Sequence, residues 1–252
     1  MLFKRSCRGF LALLCLFLLV VQVVAVPPKA KSSRFKKSFG SLFKTLAVKN
    51  LLHKARVSLH SKARFAHTKA HQEASAAAWH HQVYAKSVSG AERVSHNLAA
   101  ERYKKDAADH LTSVRSHGIE EGLRHGQSAQ EAQESIRQGH SGHQNALLGH
   151  SLMVAAQEHR KTAAAHAQAA TIAHGRGHQV VRNLHFNLRA SHSQQASAHA
   201  KHALEHSQGM PTESTQANIH NDIAAAQKSA DDARAWRKMA EVTINHQDHP
   251  PN

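Results

Sequence analysis

Histidines recur at intervals of seven residues, and this spacing limits what the chain can fold into. Five of them follow one another in the C-terminal half: His178, His185, His192, His199 and His206. The same interval joins four further sets: His53, His60 and His67; His143 and His150; His110 and His117; His159 and His166. A strict seven-residue repeat keeps one stripe of side chains on one side of an α-helix and favours left-handed supercoiling. We therefore predict heptad-patterned helices that pack as an antiparallel hairpin bundle or coiled coil.

Residues 73–252 combine a high helix propensity with few large apolar side chains. They contain 35 Ala but only 24 Leu, Ile, Val and Phe together. Alanine has the highest helix propensity of all residues, and the segment has almost no strand pattern. The predicted fold is all-α, with alanine-lined helix contacts and a marginal core.

Glycines mark the expected ends of these helices, because glycine disfavours the helix interior and is common just beyond its C-terminus. They divide the chain into helices of about 58–88, 91–117, 127–138, 143–174, 178–208 and 212–245. The pair Gly139 and Gly142 is one of these predicted breaks. Short turns between long helices place neighbours antiparallel.

The first 25 residues match the pattern of a cleavable signal peptide. A basic start precedes an apolar run from Phe10 to Val26, with small residues at Val23-Val24-Ala25. A membrane anchor is the alternative, but a span needs about 20 apolar residues and this run is shorter. The protein is therefore expected to be secreted. Because Cys7 and Cys15 both lie in this segment, the mature chain would contain no cysteine.

Residues 26–72 form a basic arm, with twelve Lys and Arg and no acidic residue. Apolar side chains recur in it at steps of three and four, which predicts an amphipathic helix. Such an arm is typical of binding to an anionic membrane surface or an acidic protein partner, and nucleic acid is a further candidate. Packing of its apolar face on the rest of the chain is the structural alternative. The predicted contact residues are Lys29, Lys31, Arg34, Lys36, Lys37, Lys44, Lys49 and Lys54.

One interpretation of the histidines is metal binding. Imidazoles one helical turn apart can share Zn²⁺ or Cu²⁺, whereas histidines seven apart stand about 10 Å apart along the axis. The heptad register alone is therefore not a metal motif, and no metal or other cofactor is required. The candidate ligands with suitable spacing are His199, His202 and His206, and His174 with His178.

A second interpretation is a response to pH. Residues 73–252 hold 21 of the 25 histidines, and imidazole titrates near 6.5. Protonation would place like charges along thinly packed helices, so helicity is expected to be greater at pH 7.5 than at pH 5. A third interpretation is that the histidines occupy partly exposed positions and multiplied with the repeat, without a separate role.

The sequence contains no arrangement of residues typical of a catalytic site, so we expect no enzyme. Aromatic residues are rare in residues 73–252, and most should be buried where helices meet. Trp79 and Trp236 are the candidate anchors for a partner protein, since tryptophan is enriched at binding hot spots. Heptads serve packing within and between chains, so self-association stays open.

These features predict a secreted, non-enzymatic, helical interaction protein. Its parts are a signal peptide (1–25), a basic amphipathic arm (26–72) and an Ala/His-rich helical body (73–252). The profile resembles that of effectors secreted by filamentous pathogens and parasites, a resemblance that implies virulence and entry into a host cell, including the nucleus. The alternatives are a His-rich metal-binding or pH-responsive protein and a membrane-active cationic protein.

Overall fold

The described part of the chain forms five α-helices. A computed structural model describes residues 33–123, 129–208 and 216–245. The helices are α1 (Ser33–Ala85), α2 (Gly90–Leu123), α3 (Ala129–Gly175), α4 (Gln179–Ser207) and α5 (Gln216–Asn245). These ranges contain no strand, so the predicted all-α fold is confirmed. The predicted signal peptide, with Cys7 and Cys15, lies outside the described residues, as do Lys29 and Lys31.

Two compact units divide the chain, Met1–Leu52 and His53–Asn252. Helix α1 begins in the first unit and continues into the second, through the predicted end of the arm at residue 72. The second unit buries one face of the last third of that arm, including Ala63, Ala66 and Ala70, while Lys54 is exposed. Five of the predicted arm cations lie on α1 at positions whose side chains are outside the description: Arg34, Lys36, Lys37, Lys44 and Lys49.

Two antiparallel hairpins organise the second unit. The turn between α1 and α2 ends at Gly90, which has a φ of 59°, a left-handed conformation that glycine adopts without a steric cost. The turn between α3 and α4 uses Gly177 in the same way, with a φ of 73°. Both hairpins therefore rest on the glycine chemistry that the sequence predicts.

Helix α3 belongs to two groups of three helices. Its N-terminal part lies against α1 and α2, since Ser135 hydrogen-bonds to a histidine of each helix. Its C-terminal part pairs with α4 and also contacts α5, where the Thr162 hydroxyl donates to the Ala233 carbonyl at 2.7 Å. The buried carboxylate of Glu158 adds an ion pair to Arg237 of α5, at 2.8 Å.

The structure corrects the predicted helix break at Gly139 and Gly142. Helix α3 runs unbroken through both, and each packs closely against the first hairpin. A Cβ atom on Gly139 would stand 2.8 Å from the Ala66 Cβ and 3.0 Å from the His67 backbone nitrogen. The glycines thus allow helices to approach closely, and this packing outweighs their cost of about 1 kcal/mol each in helix propensity.

Alanine and a few larger side chains line the interior. One cluster joins Tyr84, Leu152, Met153 and Ile223 across α1, α3 and α5. Another surrounds Tyr103 with alanines of α1, α2 and α3. Within the described ranges, no helix is long and apolar enough to cross a membrane.

Replacing Gly139 with Ala should destabilise the protein by about 1–3 kcal/mol, the range for overpacking a core. The added methyl would meet the backbone of α1, which cannot move away as a flexible side chain would. Urea unfolding followed by circular dichroism measures the change. Gly118→Ala is the matched control, because its Cβ would stand 3.7 Å from the nearest Arg64 atom; a similar loss in both variants would contradict the close contact.

Candidate functional site

Histidines of facing helices meet in pairs through their Nδ1 atoms. Each pair takes one histidine from each helix of a hairpin, and its two Nδ1 atoms lie within hydrogen-bonding distance. We call such a unit a histidine pair. Helices α1 and α2 form three: His60–His117 at 3.1 Å, His67–His110 at 2.9 Å and His81–His96 at 2.8 Å. Helices α3 and α4 form two: His159–His192 and His166–His185, both at 2.9 Å.

Nine of the ten paired histidines are buried, and His110 is half-buried. His81, His96 and His166 have no exposed surface at all. A buried polar group is costly unless it is hydrogen-bonded, and pairing supplies a partner to each ring. The third interpretation from the sequence, partly exposed histidines, does not describe these residues.

The geometry of a pair sets the protonation that it tolerates. An Nδ1–Nδ1 hydrogen bond needs a hydrogen on one ring and a free lone pair on the other. A neutral pair satisfies this condition, and so does a pair with one added proton. When both rings are protonated, two N–H groups and two positive charges face each other. A doubly protonated pair must therefore separate.

Hydroxyl groups from a third helix connect the pairs of one hairpin. Ser135 of α3 lies 3.0 Å from His67 Nε2 and 2.5 Å from His117 Nε2, so it joins two adjacent pairs of the first hairpin. A serine can donate to one ring and accept from the other. The hydrogen bonds then run without interruption through five groups: His110, His67, Ser135, His117 and His60.

In the second hairpin the third helix is α5, and each of its hydroxyl groups contacts one pair. Ser229 lies 2.9 Å from Nε2 of both His159 and His199, and Thr243 lies 3.2 Å from His185 Nε2. Successive histidines also stack, with ring centroids 5.6 Å apart for His159–His199 and for His166–His192. The heptad repeat thus becomes a ladder of imidazoles on each hairpin.

Burial lowers the pKa of nine paired histidines, because an imidazolium loses hydration inside the protein. The pKa of His81 falls to about 3, with the neighbouring His96 as the second cause. Four others fall to about 4 for the same reason: His67, His96, His159 and His166. The direction is also downward for His110, His117, His185, His192 and His199.

The His81–His96 pair has the least support from its surroundings. Both Nε2 atoms are buried without a hydrogen-bond partner, and so is the hydroxyl of Tyr103, whose ring stacks on His81 with centroids 5.6 Å apart. Unpaired buried polar atoms each cost about 1–3 kcal/mol. This pair is therefore held by packing and by one internal hydrogen bond.

The metal ligands proposed from the sequence lie at separate places. His199 Nε2 bonds to Ser229, and His206 Nε2 lies 2.8 Å from the Asn145 carbonyl. His202, His174 and His178 are exposed. Across the described ranges, no three histidine, cysteine, aspartate or glutamate residues lie close enough together to hold one metal ion. Zinc or copper binding stays a prediction.

Two further outcomes concern residues that the sequence singles out or misses. Trp79, Trp236 and Phe186 are 57%, 43% and 45% exposed and only Tyr84 and Tyr103 are buried, so the prediction that most aromatic residues are buried is wrong. The use of Trp79 and Trp236 as partner anchors stays a prediction. The pairing itself was missed, although the spacing contains a signal. His60, His67 and His81 mirror His117, His110 and His96 about the turn before Gly90. The bridging Ser135, Ser229 and Thr243 carry no comparable signal.

No protein-family model, curated protein or solved structure matches this chain.

Replacing Ser135 with Ala should destabilise the protein by about 1–3 kcal/mol, because it removes the partner of two inward-facing Nε2 atoms. NMR of imidazole nitrogens should also show altered tautomers at His67 and His117. Ser95→Ala is the control: its exposed hydroxyl bonds only to the Ala91 carbonyl of its own helix. Unchanged tautomers in the Ser135 variant would contradict the bridge.

Proposed function

We propose that this is a secreted, non-enzymatic, pH-responsive interaction protein, whose helical bundle is closed at neutral pH and opens on acidification. The buried histidine pairs carry this proposal. Each pair is stable with at most one added proton, and burial lowers the pKa of histidines in all five pairs. The bundle therefore depends on neutral imidazoles.

The direction of the pH response follows from proton linkage. An unfolded histidine has a pKa near 6.5, whereas five buried ones have a pKa of about 3 or 4. Between these values the unfolded chain binds more protons, so acid favours opening. The stability is fully present above about pH 7 and declines as the pH falls through 6.5 towards 4.

Because the core is thin, the free energy lost on acidification is large relative to the packing free energy that stabilises the bundle. Most of the buried apolar residues are alanines, and each buries little area compared with leucine or phenylalanine. A few protonated pairs then offset much of the packing energy. Opening would expose both the imidazole ladders and the alanine-lined faces of α1 and α3 to a partner.

Secretion explains why such a device is useful, because exported proteins meet neutral fluids and acidic compartments in turn. The basic arm would hold the protein to an anionic surface or an acidic partner in either state, since Lys and Arg stay charged throughout this range. Action inside a host cell, as an effector, and binding of nucleic acid by the arm remain predictions of the sequence.

The experiment compares partner capture by the tagged protein at pH 7.5 and pH 5, followed by mass spectrometry. A matched variant carries His→Leu substitutions at both members of the His81–His96 and His166–His185 pairs, which removes four titrating groups from the core. Wild type should capture a partner at pH 5 that the variant captures weakly. Identical partners for both proteins at both pH values would contradict pH-controlled binding.

A further inference from the structure

The turn between α3 and α4 exposes a group of apolar side chains. Val180 is 84% exposed and Leu184 is 51% exposed, and they lie one helical turn apart at the start of α4. Phe186 and Val181 are 45% and 38% exposed. These four residues follow the turn within eight positions, so they form the end of the second hairpin. We call this end of the hairpin, from Arg176 to Arg189, the tip surface.

The charge of the tip surface has one sign. Arg176 and Arg189 are exposed and Arg182 is half-buried, and the Arg182 guanidinium lies 5.9 Å from the centre of the Phe186 ring. The sequence contains no acidic residue between Glu158 and Glu205. The arginines and the apolar groups are therefore interleaved without a carboxylate of the same segment beside them.

The turn is also closed by its own hydrogen bonds. The Gly177 backbone N–H donates to the His174 carbonyl at 3.0 Å, and the His178 N–H donates to the Ala173 carbonyl at 2.9 Å. A backbone that satisfies its own polar groups can approach an apolar medium at low cost. The tip can thus meet such a surface without unfolding.

The turn of the first hairpin differs in its charge and in being covered by another helix. Arg160 of α3 covers it by donating to the Ser87 hydroxyl and to the Ser87 carbonyl, at 2.5 and 2.6 Å. The second helix of this hairpin, α2, carries the acidic Glu92 in its first turn. Val94 is nevertheless 54% exposed, which makes it a matched control position for Val180.

From this contrast we infer that the tip surface docks on an anionic lipid bilayer. Apolar side chains flanked by arginines suit the boundary between acyl chains and headgroups. The apolar side chains are buried among the acyl chains there, and the arginines meet the headgroup phosphates. A nucleic acid would satisfy the arginines and leave Val180 and Leu184 in water. This surface lies on the body of the protein and does not depend on the basic arm or on the pH response.

The test uses the mature chain, residues 26–252, in which an introduced and labelled cysteine is the single one. An environment-sensitive dye is attached at Val180→Cys or, as the control, at Val94→Cys. Vesicles of phosphatidylcholine with phosphatidylserine should raise the emission at position 180 and leave position 94 unchanged. Lipids with a quencher in the acyl chains should then quench the dye at 180.

Variants distinguish vesicle binding by the tip surface from vesicle binding by the basic arm, because the arm could hold the chain on vesicles by itself. Val180→Ser with Leu184→Ser should lower the partition onto phosphatidylserine vesicles about tenfold, and Arg176→Gln with Arg189→Gln should lower it by a similar factor. Vesicle binding without a response at position 180 would overturn the inference. So would equal responses at positions 180 and 94, equal binding to vesicles of phosphatidylcholine alone, or docking of the tip on an acidic protein only.

Discussion

Acidification from pH 7.5 to pH 5 should remove most of the free energy of unfolding of the helical bundle. Each buried histidine whose pKa is about 4, against 6.5 in the unfolded chain, lowers the free energy of unfolding of the protein by about 2 kcal/mol at pH 5. Five histidines have a pKa this low or lower, so their sum is about 10 kcal/mol. A typical domain has only about 5–15 kcal/mol in total.

Circular dichroism at 222 nm and urea unfolding at intervals between pH 7.5 and pH 4 measure this effect. The unfolding free energy should be constant above about pH 7 and then fall steeply between pH 6.5 and pH 4. High salt screens exposed charges but acts much less on buried ones, so adding salt should restore little of the loss. A bundle equally stable at pH 7.5 and pH 5 would rule out the histidine pairs as its pH sensor.

The double substitution His81→Leu with His96→Leu should stabilise the bundle in acid. Both rings are fully buried and both Nε2 atoms lack partners, and replacing two paired polar groups by apolar ones of similar size is nearly neutral or stabilising. At pH 7.5 we therefore expect little change. At pH 5 the variant should exceed wild type by about 4 kcal/mol, since two groups with lowered pKa are removed.

The single variants complete this cycle. His81→Leu alone leaves His96 Nδ1 buried without a partner and should cost about 1–3 kcal/mol at pH 7.5. The exposed His140 serves as the control, because its replacement by Leu should leave the pH dependence unchanged. A double variant that is as acid-sensitive as wild type would show that the response arises elsewhere.

Heptad spacing and alanine content were sufficient to predict the helices, because both act locally. The turns at Gly90 and Gly177 were also predictable, since glycine adopts a positive φ readily. Gly139 and Gly142 misled the prediction, because a glycine that ends a helix and one that admits a neighbouring helix look alike in sequence. Only the contacts with the first hairpin, such as that of Gly139 with Ala66, distinguish the two roles.

The histidine pairs show a similar division. The stripe on each helix follows from the repeat of seven, but its burial does not, because histidine is usually found at intermediate exposure. Pairing depends on the register between helices, which is a non-local property. The bridging hydroxyls of Ser135 and Ser229 come from a third helix, so the sequence pattern of one helix or one hairpin does not predict them.

The sharing of α3 between both three-helix groups has a consequence for cooperativity. Its 47 residues form one unbroken helix, so the two imidazole ladders have no hinge between them. Separation of pairs in one hairpin should shift the α3 surface on which the other depends. The second unit should then take up its protons in a single concerted transition, steeper with pH than any histidine titrating alone.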